Sequence, residues 1–199
     1  MPYRLLRIVV SVFALLLLLS FVSAGKGDDA SGSLKVGPVP EDVREAFGLP
    51  PFYQKYVAIE GLPIFASEGV SDYALSEAAW IVDNVLGSRV DILEAMAAAR
   101  VRIVVMAWDE YTTDLPEQSG MTPRVFWDRR ARGLGGRTTS CGEENLLCYP
   151  NDPYARESLL IHEFAHSIHG FGLKAVDPTF DEQLRSAYDE AIEAGLWKG

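Results

Sequence analysis

Sulfur, imidazole and positive charge are scarce in this chain. Its 199 residues include two cysteines, three histidines, and 18 lysines and arginines against 28 aspartates and glutamates. Each shortage excludes something. Cys141 and Cys148 have no second Cys or His pair nearby, so they do not make a four-ligand structural zinc site. No long basic run offsets the net charge of −10, so a phosphate backbone is repelled on average and nucleic acid is not an expected partner. No internal repeat is present, and 48% hydrophobic with 23% charged residues is the composition of a globular domain, not of a disordered chain.

The one long apolar run lies at the start. Arg4 and Arg7 precede an apolar stretch from Ile8 to Val22, centred on Leu15 to Leu19, and Val22-Ser23-Ala24 supplies small residues for a signal peptidase. This predicts a secretory signal over residues 1–24, cut after Ala24. The rival reading is an uncleaved anchor, but the stretch is short and Ser-interrupted for a helix that needs roughly 20 apolar residues to span a bilayer. Loss of Arg4 and Arg7 takes the net charge from −10 to −12. The expected location is secreted, or periplasmic in a Gram-negative cell, with no stable membrane association after cleavage. Export makes a Cys141–Cys148 disulfide the default, closing a short loop and acting as a local clamp.

Residues 25–40, rich in Gly, Ser, Asp and Pro, read as a flexible leader, and 41–199 as one domain. Glu41 to Phe47 suits a short helix stopped by Gly48. Lys55 to Glu60 and Leu62 to Ala66 read as strands. Ser71 is an N-cap for a helix carrying Ala74, Ala78, Ile81, Val82 and Leu86 and ending at Gly87, and a second helix is expected from about Val90 to Ala99. Val101 to Ala107 is the best strand pattern. Residues 108–153 show little periodicity and are expected to form a long surface loop that walls a substrate site. Within it, Gly133, Gly135 and Gly136 do not make a phosphate loop, because no strand feeds them and no Lys-Ser or Lys-Thr follows. The arginines at 129, 130, 132 and 137 hint at acidic substrate contacts or form a solvated loop. The expected class is α+β with one mixed sheet.

The chemistry concentrates in residues 159–168, Leu-Leu-Ile-His-Glu-Phe-Ala-His-Ser-Ile, an HExxH pattern. Asp152-Pro153 is a helix-start signal, and Gly170 and Gly172 are expected to stop the helix near His169. At about 100° per residue, Leu160, Phe164 and Ile168 form a core stripe with Ile161 beside it. His162 and His166 then stack one turn apart on the opposite face, placed to bind one zinc ion, with Glu163 to their side as the general base. All three histidines of the chain lie in this one predicted helix. His169 is about 10 Å along the axis from His162, too far for three side chains of one straight helix to share a tetrahedral ion. It is expected to support the site, line the pocket or be exposed at the helix end.

These residues, with Ser140-Cys141-Gly142-Glu143-Glu144-Asn145-Leu146-Leu147-Cys148-Tyr149-Pro150 upstream, resemble the zincin metallopeptidases. The likeness is to gluzincins, and within them to secreted proteins with an anthrax lethal-factor-like catalytic domain, from about Tyr56 onward. A metzincin would carry Gly at 169 and His at 172, where this chain has His169 and Gly172. The resemblance implies a zincin-like fold with zinc as cofactor and a peptide or protein substrate. It implies hydrolysis by Glu163-assisted attack of a zinc-bound water. It also implies a third ligand, a Glu on a later helix. The last predicted helix, Thr179 to Ala194, offers Glu190 and Glu193, which read as a solvated face, so the third metal ligand is unknown and the domain is expected to lack its C-terminal subdomain. Asp177 and Asp181 have no motif around them to support an aspartate-ligated site instead. The alternative function is an inactive or truncated zincin-fold protein serving as a secreted zinc-binding or protein-binding module.

Overall fold

A computed structural model describes residues 35–196. The expected signal peptide and the leader up to residue 34 lie outside the described residues. Among the described residues no helix is long and apolar enough to cross a membrane.

The core is one six-stranded mixed sheet with helices packed on it, an α+β arrangement. Its strands are β1 (Gly37–Pro38), β2 (Lys55–Ile59), β3 (Leu62–Ala66), β4 (Arg102–Met106), β5 (Gly133–Leu134) and β6 (Thr138–Gly142), in the order β1-β2-β3-β4-β6-β5. β2 and β3 form an antiparallel hairpin turned at Glu60 and Gly61, both at positive φ, the geometry a tight two-residue hairpin turn requires. β3, β4 and β6 run parallel, and β5 returns antiparallel to β6 at the edge. Within the stretch expected to be leader, Gly37 and Pro38 pair with Tyr56 and Lys55 and Val39 is buried.

Both faces of β4 are covered, which is why its sequence is apolar throughout and not alternating. Ile103 and Val105 join the main core with α2 (Asp72–Leu86), α3 (Val90–Ala98) and α6 (Leu159–Ser167). Val104 and Met106 face a second cluster with Tyr53, Phe65 and Leu115, against which Phe47 of α1 (Glu41–Phe47) packs. Helix α2 starts where the sequence predicts: the Ser71 hydroxyl accepts a hydrogen bond from the Tyr73 amide. Its N-cap is tied to the C-terminal ends of the parallel strands β4 and β6 by Glu143, a buried carboxylate that accepts bonds from the Ser71 and Trp108 amides.

Residues 108–153 are not a long loop. They contain α4 (Arg124–Arg130), β5, the interior strand β6 and α5 (Glu143–Leu146). β6 reads Thr-Thr-Ser-Cys-Gly, without apolar alternation, and owes its existence to β4 on one side and β5 on the other. The expected Cys141–Cys148 disulfide is not formed. Cys141 points from β6 into the main core, while Cys148 is exposed after α5 at φ 53°, and both thiols are free. The arginine stretch also divides. The Arg132 guanidinium is held by both Glu144 oxygens and by the Ala107 and Glu110 carbonyls. Arg137 bonds the Ala99 carbonyl and lies over Phe171, and Arg130 is left as the arginine of α4 that borders the cleft described below.

Candidate metal centre

Helix α6 carries the candidate site, and it begins later than Asp152-Pro153 suggests. Asp152 folds back on its own turn: one carboxylate oxygen accepts from the Tyr154 amide at 2.8 Å and the other from the Asn145 side-chain amide at 2.7 Å. Ser158 is the cap, its hydroxyl accepting from the Ile161 amide, and helical hydrogen bonding starts at Leu159. The core stripe is as expected for Leu160, Phe164 and Ile168, all buried, but Ile161 is turned to solvent. Nor do the glycines stop the helix. It widens into a π-helical turn over Ile168–Leu173 and continues as α7 (Lys174–Val176). Gly172 is a contact residue: a Cβ there would stand 2.5 Å from Ile92 of α3.

The spacing of four does bring the two imidazoles together. The rings of His162 and His166 have centroids 5.5 Å apart, inclined at 65°. Together with the Glu163 carboxylate they offer ligand atoms that all lie within 4.8 Å of one another, and each side chain is half-buried. Two imidazole nitrogens and a carboxylate are a donor set suited to a borderline divalent ion such as zinc. Among the described residues no other His, Cys, Asp or Glu joins this group. Glu190 and Glu193 are exposed on α8 (Phe180–Glu193). Asp177 accepts bonds from the Thr179 amide and hydroxyl at the start of α8. His169 lies outside the group, with Nε2 at 2.6 Å from Asp181, which also pairs with Lys174.

Burial sets the electrostatics. It pushes the Glu163 carboxyl above its ordinary range, partly opposed by His162 and by a backbone hydrogen bond from Gly135. It holds the His166 imidazole below its ordinary value, and the neighbouring His162 and His169 act in the same direction. A carboxyl raised by burial beside a His166 imidazole held below its ordinary value is a combination suited to proton transfer next to a cation.

The centre opens into a cleft of about 580 Å³ whose walls include Phe126, Trp127, Leu134 and Tyr154 along with His162 and Glu163. Phe126 and Trp127 of α4 meet edge to face at 5.3 Å. The Tyr154 hydroxyl donates to the Arg130 carbonyl at 2.6 Å, which joins the two walls.

Three features of the site are invisible in the HExxH pattern. The first is the glycine segment, which lies against α6: a Cβ on Gly133 would be 3.2 Å from Glu163 Cγ, and one on Gly135 would be 2.7 Å from the Glu163 carbonyl oxygen. The second is Ser167, fully buried, whose hydroxyl donates to the Gly136 carbonyl, accepts from the Gly136 amide and meets the Thr139 hydroxyl of β6. The third is Glu157, whose Oε2 stands 3.6 Å from His162 Nδ1. The repeated glycines at 133, 135 and 136 were the signal for the first; nothing local marks the other two. No family model, curated protein or solved structure gives a significant match to the chain.

Proposed function

We propose that the protein is a secreted zinc-dependent peptidase of the zincin type, in which His162 and His166 hold the metal and Glu163 is the general base. The observation that carries this reading is the cluster of His162, Glu163 and His166 within 4.8 Å, the one such group among the described residues, with His162 and Glu163 lining a cleft of about 580 Å³. Zinc, when bound, supplies a Lewis acid that makes a water acidic near neutral pH and draws charge from a carbonyl oxygen. The rest is done by the chain. Glu163, raised by burial and steadied by the Gly135 amide, takes a proton from the attacking water and returns it to the leaving amine. His166, kept neutral by its surroundings, has its lone pair free for the metal. The aromatic wall of Phe126 and Trp127 gives a peptide side chain an apolar surface beside the reacting carbonyl.

A second reading is a metal-binding or protein-binding module without peptidase activity. It is favoured by one observation: among the described residues no third protein ligand accompanies the two histidines and the general base. The two are separated by measuring zinc content and cleavage of a mixed peptide library for the chain without residues 1–24 and for Glu163→Gln. Stoichiometric zinc with cleavage that Glu163→Gln abolishes establishes the peptidase. Stoichiometric zinc without cleavage establishes the module.

A further inference from the structure

The two ring nitrogens of His162 face different partners. Nε2 is the one nearer the Glu163 carboxylate, 4.0 Å from Oε1, while Nδ1 faces Glu157, 3.6 Å from Oε2. A histidine that offers Nε2 to a metal must carry its proton on Nδ1, and an acceptor there fixes both the tautomer and the plane of the ring. The separation of 3.6 Å is about 0.7 Å longer than a charge-assisted hydrogen bond. The Glu157 side chain is half exposed.

What makes Glu157 more than a passing surface acid is the way its backbone is held. It sits on the turn before α6, one residue ahead of the Ser158 cap. The Glu157 amide donates to the Tyr154 carbonyl, and its carbonyl accepts from Asn145 Nδ2 at 3.0 Å. The same Asn145 amide nitrogen reaches Asp152, and Asn145 Oδ1 accepts from the Leu159 amide at 2.8 Å. Asn145 and Asp152 are both buried. One buried amide on α5 therefore ties the residue before the cap to the residue after it. The network fixes the backbone from which the Glu157 side chain reaches the His162 ring.

We propose that Glu157 is a positioning residue for the metal centre, accepting a hydrogen bond from His162 Nδ1 and so presenting Nε2 to the ion. This rests on the assignment of His162 as a metal ligand. Zinc affinity is measured by competition with a chromophoric chelator for the wild-type chain and for Glu157→Ala, Glu157→Gln and Glu157→Asp. The visible spectrum of the cobalt-substituted forms and the thermal midpoints of the metal-free forms are recorded alongside.

Glu157→Ala weakens zinc binding about 10- to 100-fold, changes the cobalt spectrum and leaves the metal-free midpoint unchanged. Glu157→Asp recovers part of the affinity and Glu157→Gln recovers less. The proposal is overturned if wild type binds stoichiometric zinc and Glu157→Ala matches it within twofold, which leaves the peptidase reading intact. It is also overturned if the metal-free midpoint of Glu157→Ala falls in step with affinity, since the role is then structural. Wild type that binds no zinc removes both this proposal and the function it rests on.

Discussion

A side chain on Gly135 would collide with the general-base candidate: its Cβ would stand 2.7 Å from the Glu163 carbonyl oxygen, 2.8 Å from His166 Cβ and 3.1 Å from Glu163 Oε2. The backbone at Gly135 is not in the left-handed region, so the demand for glycine is one of space. Gly135→Ala is expected to cost about 1–3 kcal/mol, the range for overpacking a closed contact, and to weaken metal binding because both Glu163 and His166 are displaced. Gly136→Ala is the contrasting control. Gly136 has φ +139° and open space around it, so alanine there strains the backbone but touches nothing at the site. Urea unfolding and zinc titration of both variants check this. Equal zinc affinity in Gly135→Ala and Gly136→Ala would contradict the contact argument.

Ser167 is the pin between the glycine segment and α6. Its hydroxyl serves the Gly136 amide, the Gly136 carbonyl and the Thr139 hydroxyl, all from a fully buried position. Ser167→Ala leaves those groups without a partner, at an expected cost of about 1–3 kcal/mol. Hydrogen exchange at the Gly136 amide should rise in the variant more than at amides of β4. An unchanged unfolding midpoint would show that water replaces the hydroxyl without loss.

The same geometry explains what the sequence could and could not reveal. Helix α2 and strands β2, β3 and β4 were legible because each buries a periodic or continuous apolar set whose pattern is local. The pair His162 and His166 was legible because four residues is one helical turn, whatever the rest of the fold does. β6 was not, because a Thr-Thr-Ser-Cys-Gly segment becomes a strand through its neighbours. Asp152-Pro153 misled because Asp152 found Asn145 and Tyr154 before it could cap a helix. Gly135 depends on how the glycine segment approaches α6, a long-range result with no spacing to announce it, and Glu157 on the turn before α6, which the Asp152-Pro153 signal placed inside the helix.

Opposite pKa shifts in one site predict opposing pH slopes for the metal-free protein. Glu163 is raised on folding, so its contribution to stability is present below the ordinary carboxyl value of about 4.5 and is lost as pH rises through the raised one. His166 is lowered, so its contribution is present above about 6.5 and is lost as pH falls through the depressed value. Between those limits the two partly cancel. Removing Glu163 as Glu163→Gln should therefore steepen the loss of stability on acidification from pH 7 to 5. Removing His166 as His166→Gln should flatten it. Urea midpoints at half-unit pH intervals, with chelator present, give the three slopes, and identical slopes would refute the shifts.

Thiol chemistry tests the packing of β6 against the expectation of a disulfide. Cys141 is fully buried in the main core and its thiol is pushed up to about 12 by burial, so it is both inaccessible and protonated at neutral pH. Cys148 is exposed. A thiol reagent at pH 8 should label one cysteine in the folded protein, mapped by peptide mass to Cys148, and the second only in denaturant. Protein purified under oxidising conditions without reductant is the sharper case, since export would favour a bond if the two sulfurs could meet. Cys141 lies in the core it shares with Ile103 and Val105 and is paired opposite Val105 and Gly133, whereas Cys148 is exposed. If no thiol is labelled even in denaturant until reductant is added, the bridge exists and β6 is packed differently at Cys141.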